Sequence, residues 1–234
     1  MPKTPFTPVQ RGLLLANAVI AWAAVSVSFS LMAVGYYVDD IDPTKPTLLG
    51  NIPTGKDQVW ERFFDWSSYF TILSNVVVAI VLTMLVRNPS VFDEKGRRGT
   101  IWRALRVDSL IMISITGIVY QLLLNEGGKV GWDLISDTLQ HAVNPAVTVL
   151  VWLIVGPRGH ISLRGIGHAM VLPIAWAVYA LVRGGVIGAY PYFFLDVSTE
   201  GLVPVIVFIA QIMLFAIAIA LVLLGYEKLR TRGR

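Results

Sequence analysis

Residues 134–155 read LISDTLQHAVNPAVTVLVWLIV, an apolar run long enough to cross a bilayer as one helix. Within it Asp137, His141, Asn144 and Thr148 fall at i, i+4, i+7 and i+11, so four polar side chains share one helical face. A polar stripe is expensive in hydrocarbon, so this face turns to a bundle interior or a wet cavity. His141 is the one histidine inside an apolar segment. His160 and His168 lie in or beside a basic loop. What His141 faces is therefore the central question for this chain.

Composition agrees with a membrane setting. The chain has 234 residues, 55% of them apolar, and a mean hydropathy of +0.66, too apolar for an ordinary soluble domain. There are no cysteines, which removes disulfides, thiolate metal sites and a cysteine nucleophile. The net charge of +4 is spread over short loops and leaves no nucleic-acid footprint.

Working outward from residues 134–155, the pattern predicts an all-α, six-transmembrane-helix bundle forming a single integral membrane domain over residues 1–234. The spans fall at about 12–36, 66–86, 104–124, 134–155, 169–189 and 201–225. Residues 1–11 are proline-rich, basic and expected to be irregular. The first span is too long for a signal-peptide core and is read as retained. Residues 38–65 form a loop with Pro43, Pro46, Gly50 and Pro53 at turn positions. It ends in the aromatic group Trp60, Phe63, Phe64 and Trp66, typical of an interfacial belt. Sorting Lys and Arg by side places 14 with the termini and loops 2–3 and 4–5, and five (Lys45, Lys56, Arg62, Lys129, Arg183) opposite. The positive-inside rule then puts both termini in the cytoplasm. Asp108, near Arg103 and Arg106, is expected to form a local ion pair.

Span 2 opens WSSYFTILSN, with Ser68, Thr71 and Asn75 on one face. Spans 2 and 4 enter from the same outer side. At ~1.5 Å per residue Thr71 and His141 both lie roughly 8–10 Å below the outer interface. A hydroxyl and an imidazole at one depth suit a nucleophile and its base, which must come within ~3 Å. Asn75 and Asn144 are either oxyanion donors or interhelical hydrogen-bonding groups. Pro145 removes a backbone bond just after His141 and so shapes a cavity or kinks the helix. Arg183 either holds a carboxylate at the outer surface or snorkels to water. No lysine lies inside a span to anchor retinal, one intramembrane histidine cannot ligate haem on both faces, and no cluster has zinc spacing. No glycine loop suits a nucleotide, so no cofactor or metal is expected.

Four segments carry a resemblance: FTILSN (70–75), LQHAVNPAV (139–147), VWLIVGPRG (151–159) and YPYFFLDVSTEG (190–201). In this order they resemble the bacterial "Pr-six-Pr" membrane proteins, from residue 66 onward, which implies a bacterial inner membrane. More distantly they are similar to the eukaryotic androgen-induced-gene and androgen-dependent TFPI-regulating proteins. Those are multi-span hydrolases of fatty acid esters of hydroxy fatty acids that use a membrane threonine and histidine. The threonine of that family matches Thr71. Aligned without a gap, His141 meets the first histidine of its Asn-His-x-x-His segment and Asn144 stands where the second, catalytic one falls. Sliding by three brings His141 onto the catalytic position. The loop YPYFFLD resembles the family's Tyr-Pro-Phe-Leu-Glu, with Asp196 for Glu. That implies an outer substrate loop carrying Tyr190, Tyr192 and Asp196, near Arg183.

The resemblance implies an intramembrane threonine hydrolase of lipid-like esters. Thr71 would be the nucleophile, His141 the base, and Asn75 or Asn144, beside Ser68, the polar pocket. Asp196 would orient the histidine or close the site. The alternatives are a non-catalytic lipid or small-ligand binder or transporter using the same pocket, and a structural membrane partner.

Overall fold

The computed structural model describes residues 6–36, 48, 59–125 and 127–231. The loop prolines Pro43, Pro46 and Pro53, with Gly50, Lys45 and Lys56, lie outside the described residues. Six helices are long and apolar enough to cross a membrane, as expected of a multi-pass membrane protein. They are α1 (Pro8–Ala33), α3 (Phe70–Arg87), α4 (Arg97–Leu124), α5 (Gly131–Val155), α6 (Leu163–Ile187) and α8 (Leu202–Thr231). Two shorter helices are α2 (Val59–Ser67) and α7 (Val197–Glu200).

The helix ends differ from the sequence reading for local reasons. The N-terminal segment is not irregular throughout: Thr7 forms a capping box with Gln10, and Pro8 sits in the first turn, so α1 starts at once. α4 begins at Arg97, inside the expected basic loop. Arg103 secures the preceding turn by donating to the Phe92 and Glu94 carbonyls at 2.9 and 2.8 Å. α8 continues through the basic tail to Thr231. The aromatic group before span 2 lies on the separate helix α2. Trp66 turns inward and donates to Ser28 Oγ at 2.8 Å, while Trp60 and Phe64 stay exposed.

The expected Asp108 ion pair does not form. Residues two and five apart do not face each other on a helix. Arg106 instead donates to the Gly156 carbonyl at 3.1 Å, and Asp108 Oδ1 has no hydrogen-bond partner among the described residues.

α1, α3, α4 and α5 build the tightly packed half. Leu14, Ala18 and Ala21 of α1 meet Val78, Val81, Leu82 and Leu85 of α3, with Ile113 of α4 and Val151 and Val155 of α5. α4 and α5 pack tightly at Gly117. A Cβ there would stand 2.9 Å from Pro145 Cβ and 3.3 Å from the His141 carbonyl oxygen. α6 and α8 are far more exposed, α8 burying only 17% of its apolar window. α8 joins the core through Ala216, Ala220, Leu223 and Leu224, and the small side chains of the two alanines suit close helix contact.

Gly117→Val forces α4 from α5 and is expected to destabilise the fold by about 1–3 kcal/mol. A lowered thermal midpoint in detergent checks this, and an unchanged midpoint would contradict the packing described.

Candidate functional site

The corner between α2 and α3 sets the position of Thr71. Ser68 Oγ donates to the Phe64 carbonyl at 2.6 Å and lies 2.9 Å from the Tyr179 hydroxyl. The Ser68 carbonyl accepts the Trp176 indole N–H at 2.9 Å. Ser68 therefore fastens the corner to α6, and it does not line the cavity described below. Thr71 consequently falls in the first turn of α3, where backbone N–H groups lack helical acceptors. Its N–H donates instead to the Tyr192 hydroxyl at 3.2 Å.

α5 places His141 by a different device. Residues Leu139–Val143 form a π-turn, in which the Asn144 N–H bonds back to the Leu139 carbonyl. The wider turn ends where Pro145 supplies no N–H to the His141 carbonyl. His141 Nδ1 lies 3.1 Å from the Asp137 carbonyl oxygen and 3.2 Å from Asp137 Oδ1. Both are acceptors, so Nδ1 carries the proton and Nε2 presents its lone pair. That lone pair faces Thr71 Oγ1 at 3.1 Å. Thr71, His141 and Asp137 thus have the connectivity of hydroxyl, base and orienting carboxylate. The Tyr120 ring stacks on the imidazole, centroids 3.7 Å apart and planes 12° apart. Lys129 bonds the same Asp137 Oδ1 and donates to the Tyr120 hydroxyl at 2.7 Å.

Thr71 opens onto an apolar cavity of about 650 Å³ of empty space, its open mouth included, between α3, α4, α6, α8 and the 190–195 loop. Thr116, Tyr120, Trp176, Tyr192 and Met213 are among its walls. Tyr192 reaches Thr71 twice, through the amide and at 3.2 Å from Oγ1. Burial pushes the Tyr192 hydroxyl above a tyrosine's ordinary value, and the bonds to Thr71 offset this only in part, so it remains a neutral donor. Burial pulls the Lys129 ammonium down, but its bonds to Asp137 and Tyr120 outweigh that and hold it above the ordinary lysine value.

Other candidates are spent elsewhere. Asn75 Nδ2 donates to the Thr71 carbonyl at 2.7 Å, and Asn144 Nδ2 donates to Asn75 Oδ1 at 2.7 Å. Both side chains are fully buried and absent from the cavity wall, so they bind helices together and do not face a reacting oxygen. Arg183 pairs with Asp65 of α2. Burial raises the Asp65 carboxyl pKa and Arg183 opposes the shift. Tyr190 packs its ring on Gly184. Asp196 does not reach His141. It caps α7, accepting from the Ser198 and Thr199 amides at 2.9 and 3.3 Å. Its slight burial works upward, but these bonds and those from the two hydroxyls pull its pKa below the usual carboxylate value.

The orienting carboxylate is therefore Asp137, whose i, i+4 spacing to His141 was the available signal. Lys129 and Tyr120 carry no such signal, because a turn and a second helix deliver them. Among the described residues no group of three or more His, Asp or Glu side chains is placed to hold a metal ion.

Comparison with protein-family models, curated proteins and solved structures returns no match.

Asn144→Ala leaves buried Asn75 Oδ1 without its donor. The expected loss is about 1–3 kcal/mol of stability, read as a lower unfolding midpoint, with the Thr71 hydroxyl still reactive to a nucleophile-directed probe. Loss of that reactivity in a folded variant would assign Asn144 to the chemistry.

Proposed function

We propose that this protein is an intramembrane hydrolase of lipid-like carboxylic esters, with Thr71 as nucleophile and His141 as general base. The observation that carries this reading is the 3.1 Å contact between Thr71 Oγ1 and Nε2 of His141, at the wall of an apolar cavity. Aliphatic hydroxyls are weak nucleophiles and need a base in hydrogen-bond reach. The segment resemblance matches Thr71 to that family's threonine, and the contact at 3.1 Å favours the register, shifted by three residues, in which His141 takes the catalytic position.

Thr71 Oγ attacks the ester carbonyl carbon while its proton passes to His141 Nε2. Negative charge then grows on the former carbonyl oxygen. The Tyr192 hydroxyl stands 3.2 Å from the attacking oxygen and is the donor best placed to meet that charge. The positive end of the α3 dipole at Thr71 helps in the same direction. The tetrahedral intermediate collapses, His141 returns the proton to the leaving alkoxide, and the acyl group remains on Thr71. Water then attacks the acyl carbon, its proton goes to His141 and on to Thr71 Oγ, and the carboxylic acid departs. Asp137 keeps the imidazole in the required tautomer and steadies its positive charge.

Long acyl chains match the apolar walls, and entry between α4 and α8 would be sideways from the bilayer. The asymmetry of basic residues supports termini in the cytoplasm and a site in the outer half of the membrane, and the segment resemblance would make that a bacterial inner membrane.

The test is labelling of purified protein with a fluorophosphonate, alongside turnover of a long-chain ester. Labelling and turnover are expected in wild type. Thr71→Ala should abolish labelling, and His141→Ala should lower turnover by at least about 100-fold. Undiminished hydrolysis by Thr71→Ala overturns the scheme. Tight binding of the ester without product favours a lipid-binding role for the same cavity. Tyr192→Phe is expected to lower kcat by about 10–1,000-fold with little change in KM; an equal rise in KM would instead mark it as a binding residue.

A further inference from the structure

We infer that Lys129 and Tyr120 are positioning residues for His141, holding the Asp137 carboxylate where it fixes both tautomer and ring orientation. This rests on the catalytic reading of Thr71 and His141 above.

Asp137 cannot fix the imidazole alone. His141 Nδ1 has two acceptors at nearly equal distance, the Asp137 backbone oxygen at 3.1 Å and the carboxylate oxygen at 3.2 Å. The backbone bond survives any rotation of the Asp137 side chain, so something else must hold the carboxylate. Lys129 does this on the very oxygen that faces His141. Tyr120 joins the same cluster through Lys129, its hydroxyl accepting from that ammonium at 2.7 Å. The same tyrosine ring covers one face of the imidazole at 3.7 Å. One residue thus fixes the plane of the base and, through its hydroxyl, the lysine that holds Asp137.

The chain is shaped to deliver Lys129. Gly127, Gly128 and Gly131 take φ of 72°, 76° and 58°, a region that favours glycine, and fold the turn between α4 and α5 back over Asp137. The Lys129 side chain is only 32% exposed, so its charge is poorly screened. Without it the carboxylate loses the cation that fixes the oxygen beside Nδ1 in place.

The test uses the full chain in detergent with labelled histidine, comparing wild type, Lys129→Met, Lys129→Arg and Tyr120→Phe. It reads the low-field proton resonance of His141 Nδ1–H together with ester kinetics. Lys129→Met should move or broaden that resonance and lower kcat by about tenfold or more, KM holding within about twofold. Lys129→Arg should restore both. Tyr120→Phe keeps the stacking and loses the hydroxyl, so it should show the same change in weaker form. An unchanged resonance in folded Lys129→Met overturns the inference, and should that variant not fold, an unchanged resonance in Tyr120→Phe does so. If wild type hydrolyses no ester while the resonance responds as described, the clamp stands and the hydrolase reading alone falls.

Discussion

A polar atom carried into an apolar bundle must find a partner there, and this requirement organises the molecule around α5. Each member of the α5 stripe is satisfied by a different neighbour. Thr148 donates to Asn17 of α1 at 3.2 Å, Asn144 donates to Asn75 of α3 at 2.7 Å, and His141 takes the Thr71 hydroxyl at 3.1 Å. Asp137 takes Lys129 from the adjoining turn. These bonds point α5 at α1 and α3 and leave its apolar side, including Leu150 and Ile154, exposed for lipid. Hydrophobic contact alone could not choose that rotation, because lipid is as apolar as the neighbouring helices.

The stripe also divides into two levels along one helix. At the Thr148 and Asn144 levels the partners, Asn17 and Asn75, are buried side chains. At the His141 level the π-turn widens the helix, and Thr71 borders the cavity as well as the histidine. The looser packing of α6 and α8 supplies that space. α8 touches the core through Ala216 and Ala220, while Ile209, Ile212 and Met213, toward its other end, line the cavity. The more deeply buried half thus holds the hydroxyl and imidazole, and the thinly packed half leaves an apolar cavity beside Thr71.

Tyr192 links the two halves. It belongs to the loop between α6 and α8, and its hydroxyl satisfies an amide at the start of α3 that no helical carbonyl can reach. Its ring packs edge-on to Tyr69 at 5.6 Å and stacks on Phe194 at 5.1 Å. The aromatic loop is therefore part of the cavity wall. Asp196, at the end of the same loop, is used to start α7, which keeps it away from the histidine.

The sequence by itself determined the six apolar helices, the polar stripe of α5, and the placing of Thr71 and Asn75 on one helix, but not that of Ser68, which falls before α3 begins. These follow from hydropathy and the 3.6-residue period, which are local properties. It also put Asp137 and His141 on one face. Only the tertiary structure decided which polar groups meet. Two helices at equal depth touch or not according to packing, and that brought His141 to Thr71 while committing Asn144 to Asn75. Tyr192, Tyr120 and Lys129 reach the site from a loop, a second helix and a glycine turn, so no spacing along the chain could announce them. Helix ends were equally beyond hydropathy, because capping by Thr7 and the bonds of Arg103 begin helices inside segments whose composition suggests loop.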